Sequence, residues 1–360
     1  MAYTDIDKPS DYFNTVLYTG NNTDNTSISG LDFQPDWVWL KARNQADYHY
    51  SMDSVRGALK PLFQNDTSAE ANFSDSLKSF NTDGFTLGTS GDLNAASQTM
   101  VAWNWKAGTS FTNDASSTGI GSIDSTGSVS TDAGFSIVKY NSSRSPSPVQ
   151  TVAHGLGVKP DMLIFKNIDE TQNWLVWNKT LATNKHLNLN TTSALSTDAG
   201  SLNNTAPTST VFTIGADGRT NSTTNGNPII CYAFAEKKGY SKFGSVIGNG
   251  SATNGTFCYT GMKPSFVMVK NTASGNWQLL DNKRNLFNVA VNSLSPDVSD
   301  AEYTTETDID FLSNGFKFYE NYNLNKTGNT YIFAAFAENP FVTSSGVPAT
   351  ARWLCSYLLT

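Results

Sequence analysis

Three histidines, a few close carboxylates and a set of tryptophans are the side chains in this 360-residue chain with chemistry to offer. His49, His154 and His186 are dispersed along the chain and do not make a metal site from sequence-local ligands. There is no GxSxG elbow, HExxH, phosphate-binding loop or paired CxxC. Gly119-Ile120-Gly121 lacks the strand-to-helix context that a dinucleotide fingerprint needs. A glycosidase needs two carboxylates roughly 5–10 Å apart, and Asp308, Asp310 and Glu320 are the candidates. Yet Asp308-Ile309-Asp310-Phe311 alternates like an edge strand with one solvated face. Asp114, Asp124 and Asp132 lack the dense alternation of a calcium loop. No catalytic residue, metal site or cofactor is therefore expected, and the chain reads as a non-enzyme.

The aromatic residues offer a different chemistry. Trp37 and Trp39 are two apart on a predicted strand and so share a face, as do Trp103 and Trp105. Exposed indoles would stack against sugar rings, since an aromatic face gives apolar area with polar edges. Trp37, Trp39, Trp174 and Trp277 are on this reading the candidate glycan-binding residues. The competing reading is a core, because Met162, Ile164, Phe234, Phe266, Met268 and Phe336 occupy equivalent positions.

That equivalence comes from an internal repeat. One phrase occurs three times, as PDWVWLK from Pro35, PDMLIFK from Pro160 and PSFVMVK from Pro264. About 50 residues after each proline come Gly84-Phe85-Thr86-Leu87, Val211-Phe212-Thr213-Ile214 and Gly315-Phe316-Lys317-Phe318. Each unit closes on an aromatic strand, ending Trp105-Lys106, Phe234-Ala235-Glu236 and Phe336-Ala337-Glu338. A weaker landmark lies between, at His49…Asp53, Trp174…Asn178 and Trp277…Asp281. Repetition in this order predicts a tandem array of one module, which suits building and binding.

The composition agrees. Charged residues are only 15% and aromatics 12%, so polar bulk comes from Asn, Ser, Thr and Gly rather than from helix formers. Short apolar runs separated by turn signals such as Asn225-Gly226 and Asn314-Gly315 predict an all-β chain. Three tandem β-sandwich modules of jelly-roll or lectin-like type are expected. Their boundaries fall after an N-terminal arm (1–11), at 12–108, 134–238 and 239–341. A Ser/Thr/Gly-rich linker (109–133) and an apolar docking tail (342–360) complete the chain. The net charge of −7 argues against nucleic acid as a partner. No run approaches the roughly 20 apolar residues of a membrane span, and Met1-Ala2-Tyr3-Thr4 opens no secretory signal. Asn-x-Ser/Thr triplets such as Asn72, Asn178 and Asn190 follow from the composition. Cys231, Cys258 and Cys355 form no disulfide framework in a chain of this size, and Cys231 reads as a small buried hydrophobe.

Several phrases resemble a known group. Tyr12-Phe13-Asn14-Thr15, Met52-Asp53-Ser54-Val55-Arg56-Gly57, Ala153-His154-Gly155-Leu156-Gly157, Asp281-Asn282-Lys283-Arg284 and Phe234-Ala235-Glu236-Lys237-Lys238-Gly239-Tyr240 are similar to uncharacterised tailed-phage proteins abundant in marine phages. The likeness covers nearly the whole chain. It implies a virion structural protein with lectin-like sandwich modules, in a tail fibre or appendage or as a capsid decoration. Other virion proteins are the implied partners, with a homo-oligomer (a trimer by analogy) as the assembled form. A glycan-binding adhesin for host surface polysaccharide and a polysaccharide-degrading spike are the alternatives.

Overall fold

The computed structural model describes residues 4–144, 147–305, 309–319 and 323–340, the last three by backbone alone. It is an all-β chain, with helix among the described residues limited to one 3-10 turn at Pro9–Asp11 and two short segments, Gly91–Asn94 and Ala115–Thr118.

The three repeated phrases become the strands Trp37–Ala42, Met162–Asn167 and Met262–Asn271, each in a different sheet. The first principal sheet orders its strands Phe13–Thr19, Thr99–Trp105, Trp37–Ala42, Tyr50–Asp53 and Gly57–Phe63. In the eight-stranded second sheet, Met162–Asn167 lies between Pro228–Phe234 and Leu175–Asn178. The third runs Ser241–Ile247, Thr330–Pro340, Met262–Asn271 and Trp277–Asp281. In every case the phrase strand pairs antiparallel with the closing aromatic strand of its own repeat on one side and the weaker landmark on the other.

These phrase strands are apolar on both faces because each face meets a different layer. Val38 and Leu40 pack with Phe85 and Leu87 of the smaller sheet formed by Thr26–Ser29, Gly84–Leu87 and Leu77–Asn81. Leu163 and Phe165 do the same with Phe212 and Ile214, and Val267 and Val269 with Phe316 and Phe318. Each principal sheet is thus one layer of a sandwich-like pair. The glycines of the second landmark sit where these small sheets are tight: a Cβ on Gly84 or Gly315 would lie 2.0 Å from a carbonyl oxygen of the neighbouring strand.

The opposite faces converge. Trp37, Trp39, Trp103 and Trp105 from the first sheet meet Met162, Ile164, Tyr232 and Phe234 from the second and Phe266, Met268 and Phe336 from the third in one core. Trp37 stacks on Tyr232 at 4.3 Å and on Trp105 at 4.5 Å, and Phe234 meets Phe336 edge-on at 5.8 Å. Where the three faces meet, the room for the centre of a water is only about 10 Å³, at the lower limit for one molecule.

One expectation changes. The stretch 109–133 is not a free linker: Thr109–Asn113 and Ser125–Ser130 are strands of the second sheet. Its small residues serve close approach, since a Cβ on Gly127 would lie 2.6 Å from the Phe111 ring. The N-terminal arm is held: Ile6 enters the shared core, and Asp5 and Lys238 exchange two hydrogen bonds of 3.0 Å. The expected tail 342–360, with Cys355, lies outside the described residues, as do Asp308 and Glu320.

Candidate functional site

All four candidate glycan-binding tryptophans are interior. Trp37 and Trp39 are 1% exposed, and Trp174 and Trp277 are fully buried. Stacking on a sugar needs an open ring face, so these side chains form packing and seams instead. The Trp174 indole donates to Phe63 O at 2.8 Å, and the Trp277 indole to Asn188 O at 2.9 Å. Each ties its own sheet to the strands of the preceding one. His49, at the equivalent position, accepts from the Trp39 indole at 3.1 Å.

The densest chemistry lies on these seams, in groups the aromatic reading did not reach. Asp53 and Arg56 are a buried pair, with Arg56 Nε 2.6 Å from Asp53 Oδ2. The guanidinium also donates to Lys60 O, Ser51 O and Glu70 Oε2, which satisfies most of its fork. Tyr232, from the second sheet, donates to Asp53 Oδ2 at 2.7 Å. The same construction recurs at Asp281 and Arg284, 2.6 Å apart, with Arg284 reaching Glu302 at 2.9 Å. Here the incoming donor is the Trp103 indole of the first sheet, 3.0 Å from Asp281 Oδ2. Arg284 also lies over the Trp103 ring at 5.3 Å. The second sheet carries Asn178 at this position, without an arginine; its Nδ2 reaches Phe333 O at 3.5 Å. The links run in one rotational sense around the core.

The closing lysines of the repeated phrase make a second ring. Lys41, Lys166 and Lys270 are fully buried. Lys166 Nζ donates to Thr67 O and Gln172 O at 2.9 Å and to Glu170 O at 3.3 Å. Lys270 Nζ reaches Gly275 O and, across the seam, Thr191 O at 3.4 Å. Lys41 Nζ reaches Ala42 O at 2.7 Å and Gln45 O at 3.1 Å. Burial pushes the Lys166 ammonium down to about 7 and the other two to about 8.

One cluster approaches a catalytic arrangement. His186, Ser201, Asp217 and Arg219 come together, although nothing local in the sequence joins them. Arg219 Nη1 stands 2.7 Å from His186 Nε2, and since a guanidinium only donates, Nε2 must accept. The proton therefore sits on Nδ1, the atom 3.4 Å from Ser201 Oγ. Ser201 in turn donates to Asp217 Oδ2 at 2.7 Å. A base for the serine is needed at Nδ1, and that nitrogen is occupied, so the cluster holds its loop rather than activating a nucleophile. Arg219 chelates Asp217 through Nε and Nη2 at 2.6–3.1 Å, which holds that carboxyl below the usual range despite its burial.

The remaining sequence candidates have local roles. Asp114 caps Ala115–Thr118 by accepting from Ser117 N, and Asp124 accepts from Ala115 N. Among the described residues no three His, Cys, Asp or Glu side chains form a metal-ligand group. Cys231 and Cys258 are buried free thiols. No helix among the described residues is long and apolar enough to cross a membrane.

The histidines set the acid response. Burial pushes His154 and His186 down to about 4 and His49 well below its ordinary value. The unfolded chain takes up these protons near pH 6.5 while the folded chain refuses them, so stability rises with pH between about 4 and 6.5. Asp297, pushed by burial up to about 6, opposes this over part of the window. Burial also pushes up the Asp36 and Asp47 carboxyls, but three histidines held down outweigh them, and the urea midpoint is expected to be lower at pH 4.5 than at pH 7. Equal midpoints would mean the histidines are accessible to protons in the folded state.

No curated protein and no solved structure matches the chain. A family model, described as a domain of unknown function (DUF7483), matches residues 8–340, which takes in all three principal sheets and both ion-pair seams. The chain belongs to the DUF7483 family.

Proposed function

We propose that this chain is a non-enzymatic structural component of a tailed-phage virion, built as three tandem β-sandwich modules around a common axis. The observation that carries the reading is the convergence of three principal sheets on one aromatic core, locked by the Asp53–Arg56 and Asp281–Arg284 seams. Three sheets packed on one shared core form a single body suited to repeated placement in a particle. The resemblance to tailed-phage proteins supplies the setting: a fibre, an appendage or a capsid decoration, contacting other virion proteins and further copies of itself. With 15% charged residues, its surface offers mainly neutral hydrogen bonds, which salt screens less than exposed ion pairs. The test is a mass-spectrometric inventory of purified particles. The chain is expected at a fixed multiple per particle, and its absence from washed particles would reject the reading.

A glycan-binding role is favoured by one observation of its own. Phe257 and Tyr259 lie two apart on an edge strand, 44% and 59% exposed, with Lys317 in register beside Phe257. This open face replaces the buried tryptophans as the place for a stacked sugar. Tyr259→Ala is expected to abolish binding on a glycan array with the melting temperature unchanged. Absence of any wild-type signal would remove this role.

A further inference from the structure

The loop after the Asp281–Arg284 pair carries the two most exposed large apolar side chains of the described residues, Leu286 at 77% and Phe287 at 84%. The loop is anchored on both sides. Asn285 donates to Asp281 O and Asn292 O and accepts from Val291 N and Asn292 N. Asn288 exchanges two hydrogen bonds with the backbone of Phe311. A phenylalanine held out on so well-tied a base loses little conformational freedom when it is buried, which favours use as an anchor.

A matching concavity lies on the second sheet. A cleft of about 300 Å³ opens between the strand Thr109–Asn113 and the His154–Gly157 turn. Phe111, Ile120, Val129 and Ala153 give it an apolar floor, Ser209 and Thr210 stand at its rim, and none of its lining residues is charged. Its wall is fixed: His154 N donates to Thr210 O, and Leu156 N to His154 Nδ1. Gly155 keeps it open towards Phe111, because a Cβ there would come within 3.3 Å of the ring. Since Phe287 is exposed, the chain does not fill this cleft with its own loop.

We propose that Leu286 and Phe287 of one copy seat in the Phe111–Val129 cleft of the next copy. The occupant is argued from complementarity within one chain: an uncharged apolar projection and an uncharged apolar cleft large enough to take it. Because the two patches differ, the contact is head-to-tail, and repetition closes a ring or extends a filament. The inference deepens the multi-copy structural reading given above and rests on it.

The test is sedimentation velocity on the full chain across a concentration series, with two variants. Wild type is expected to associate as concentration rises, while Phe287→Asp and Ile120→Asp each remain monomeric. Mixed in equal amounts, the variants should form dimers and stop there, because one keeps the cleft and the other keeps the projection. Ser209→Trp, which blocks the rim, replaces Ile120→Asp if that variant melts early. Wild type that stays monomeric, a variant that still associates, or a mixture that forms no dimer would each overturn the contact. If the chain is nevertheless found in particles at fixed copy number, the contact fails and the virion reading stands.

Discussion

Replacing Arg56 by methionine is expected to destabilise the chain by about 3–5 kcal/mol, the cost of leaving a buried partner charge uncompensated. The guanidinium is buried and serves two carboxylates, Asp53 at 2.6 Å and Glu70 at 3.0 Å, together with the Lys60 and Ser51 carbonyls. Methionine fills much of the same volume and supplies none of the five donors. Asp53 keeps the Tyr232 hydroxyl and the Val55 and Arg56 amides, while Glu70 loses its buried partner and retains only Lys60 at 3.6 Å. The effect should extend across the seam, because Glu70 N also donates to Ile168 O of the second sheet's region. Urea unfolding checks the size. The companion double variant, Asp53→Leu with Arg56→Met, is expected to recover much of the loss, since a well-packed apolar pair often replaces a buried ion pair at little cost. A single variant within about 1 kcal/mol of wild type would mean that the seam is solvated and the pair contributes little.

Trp37→Ala is the second large effect, about 3–5 kcal/mol on the scale of aromatic truncations in cores. Trp37 contacts rings from two sheets, Trp39 and Trp105 of its own and Tyr232, Phe135 and Phe234 of the second. Its indole donates to Ser51 Oγ at 2.8 Å, a hydroxyl that would be left without this donor. Because the core is common to the three sheets, loss at Trp37 should lower one cooperative calorimetric transition rather than melt one sheet ahead of the others. Two separated transitions, with only the lower one shifted, would show that the sheets fold as independent units despite their contact.

Much of this layering was legible from the sequence because repetition aligns positions. The phrase strands could be found from four consecutive large apolar residues, and the alternation of Trp37 and Trp39 against Val38 and Leu40 divides the inner face from the outer one. What a single chain cannot display is which faces meet. Tyr232 and Asp53 are 179 residues apart, and Trp103 and Asp281 are 178 apart, so the donors that complete the seams carry no local signal. The exposed-platform reading of the tryptophans failed for this reason: the other two sheets cover the face that looked open. A local signal for the seams did exist. Asp53-x-x-Arg56 and Asp281-x-x-Arg284 fall at the same place in two repeats, in a chain where charged residues are scarce. The closing lysines were visible as part of the phrase, but Lys166 and Lys270 also donate to distant carbonyls, Thr67 O and Thr191 O, which no local pattern shows. The His186–Ser201–Asp217–Arg219 cluster was invisible because its members come from three separate segments, the strand Lys185–Asn188 and two turns.

Whether this chain is a repeatedly placed structural body of a phage particle is decided by a reconstruction of the virion by electron cryomicroscopy. Density for this three-sheeted body is expected at every symmetry-related position of a head lattice or tail appendage. Adjacent copies should approach through the Phe287 loop of one and the Phe111 cleft of the next. Complete particles without such density, from a host that expresses the chain, would contradict it.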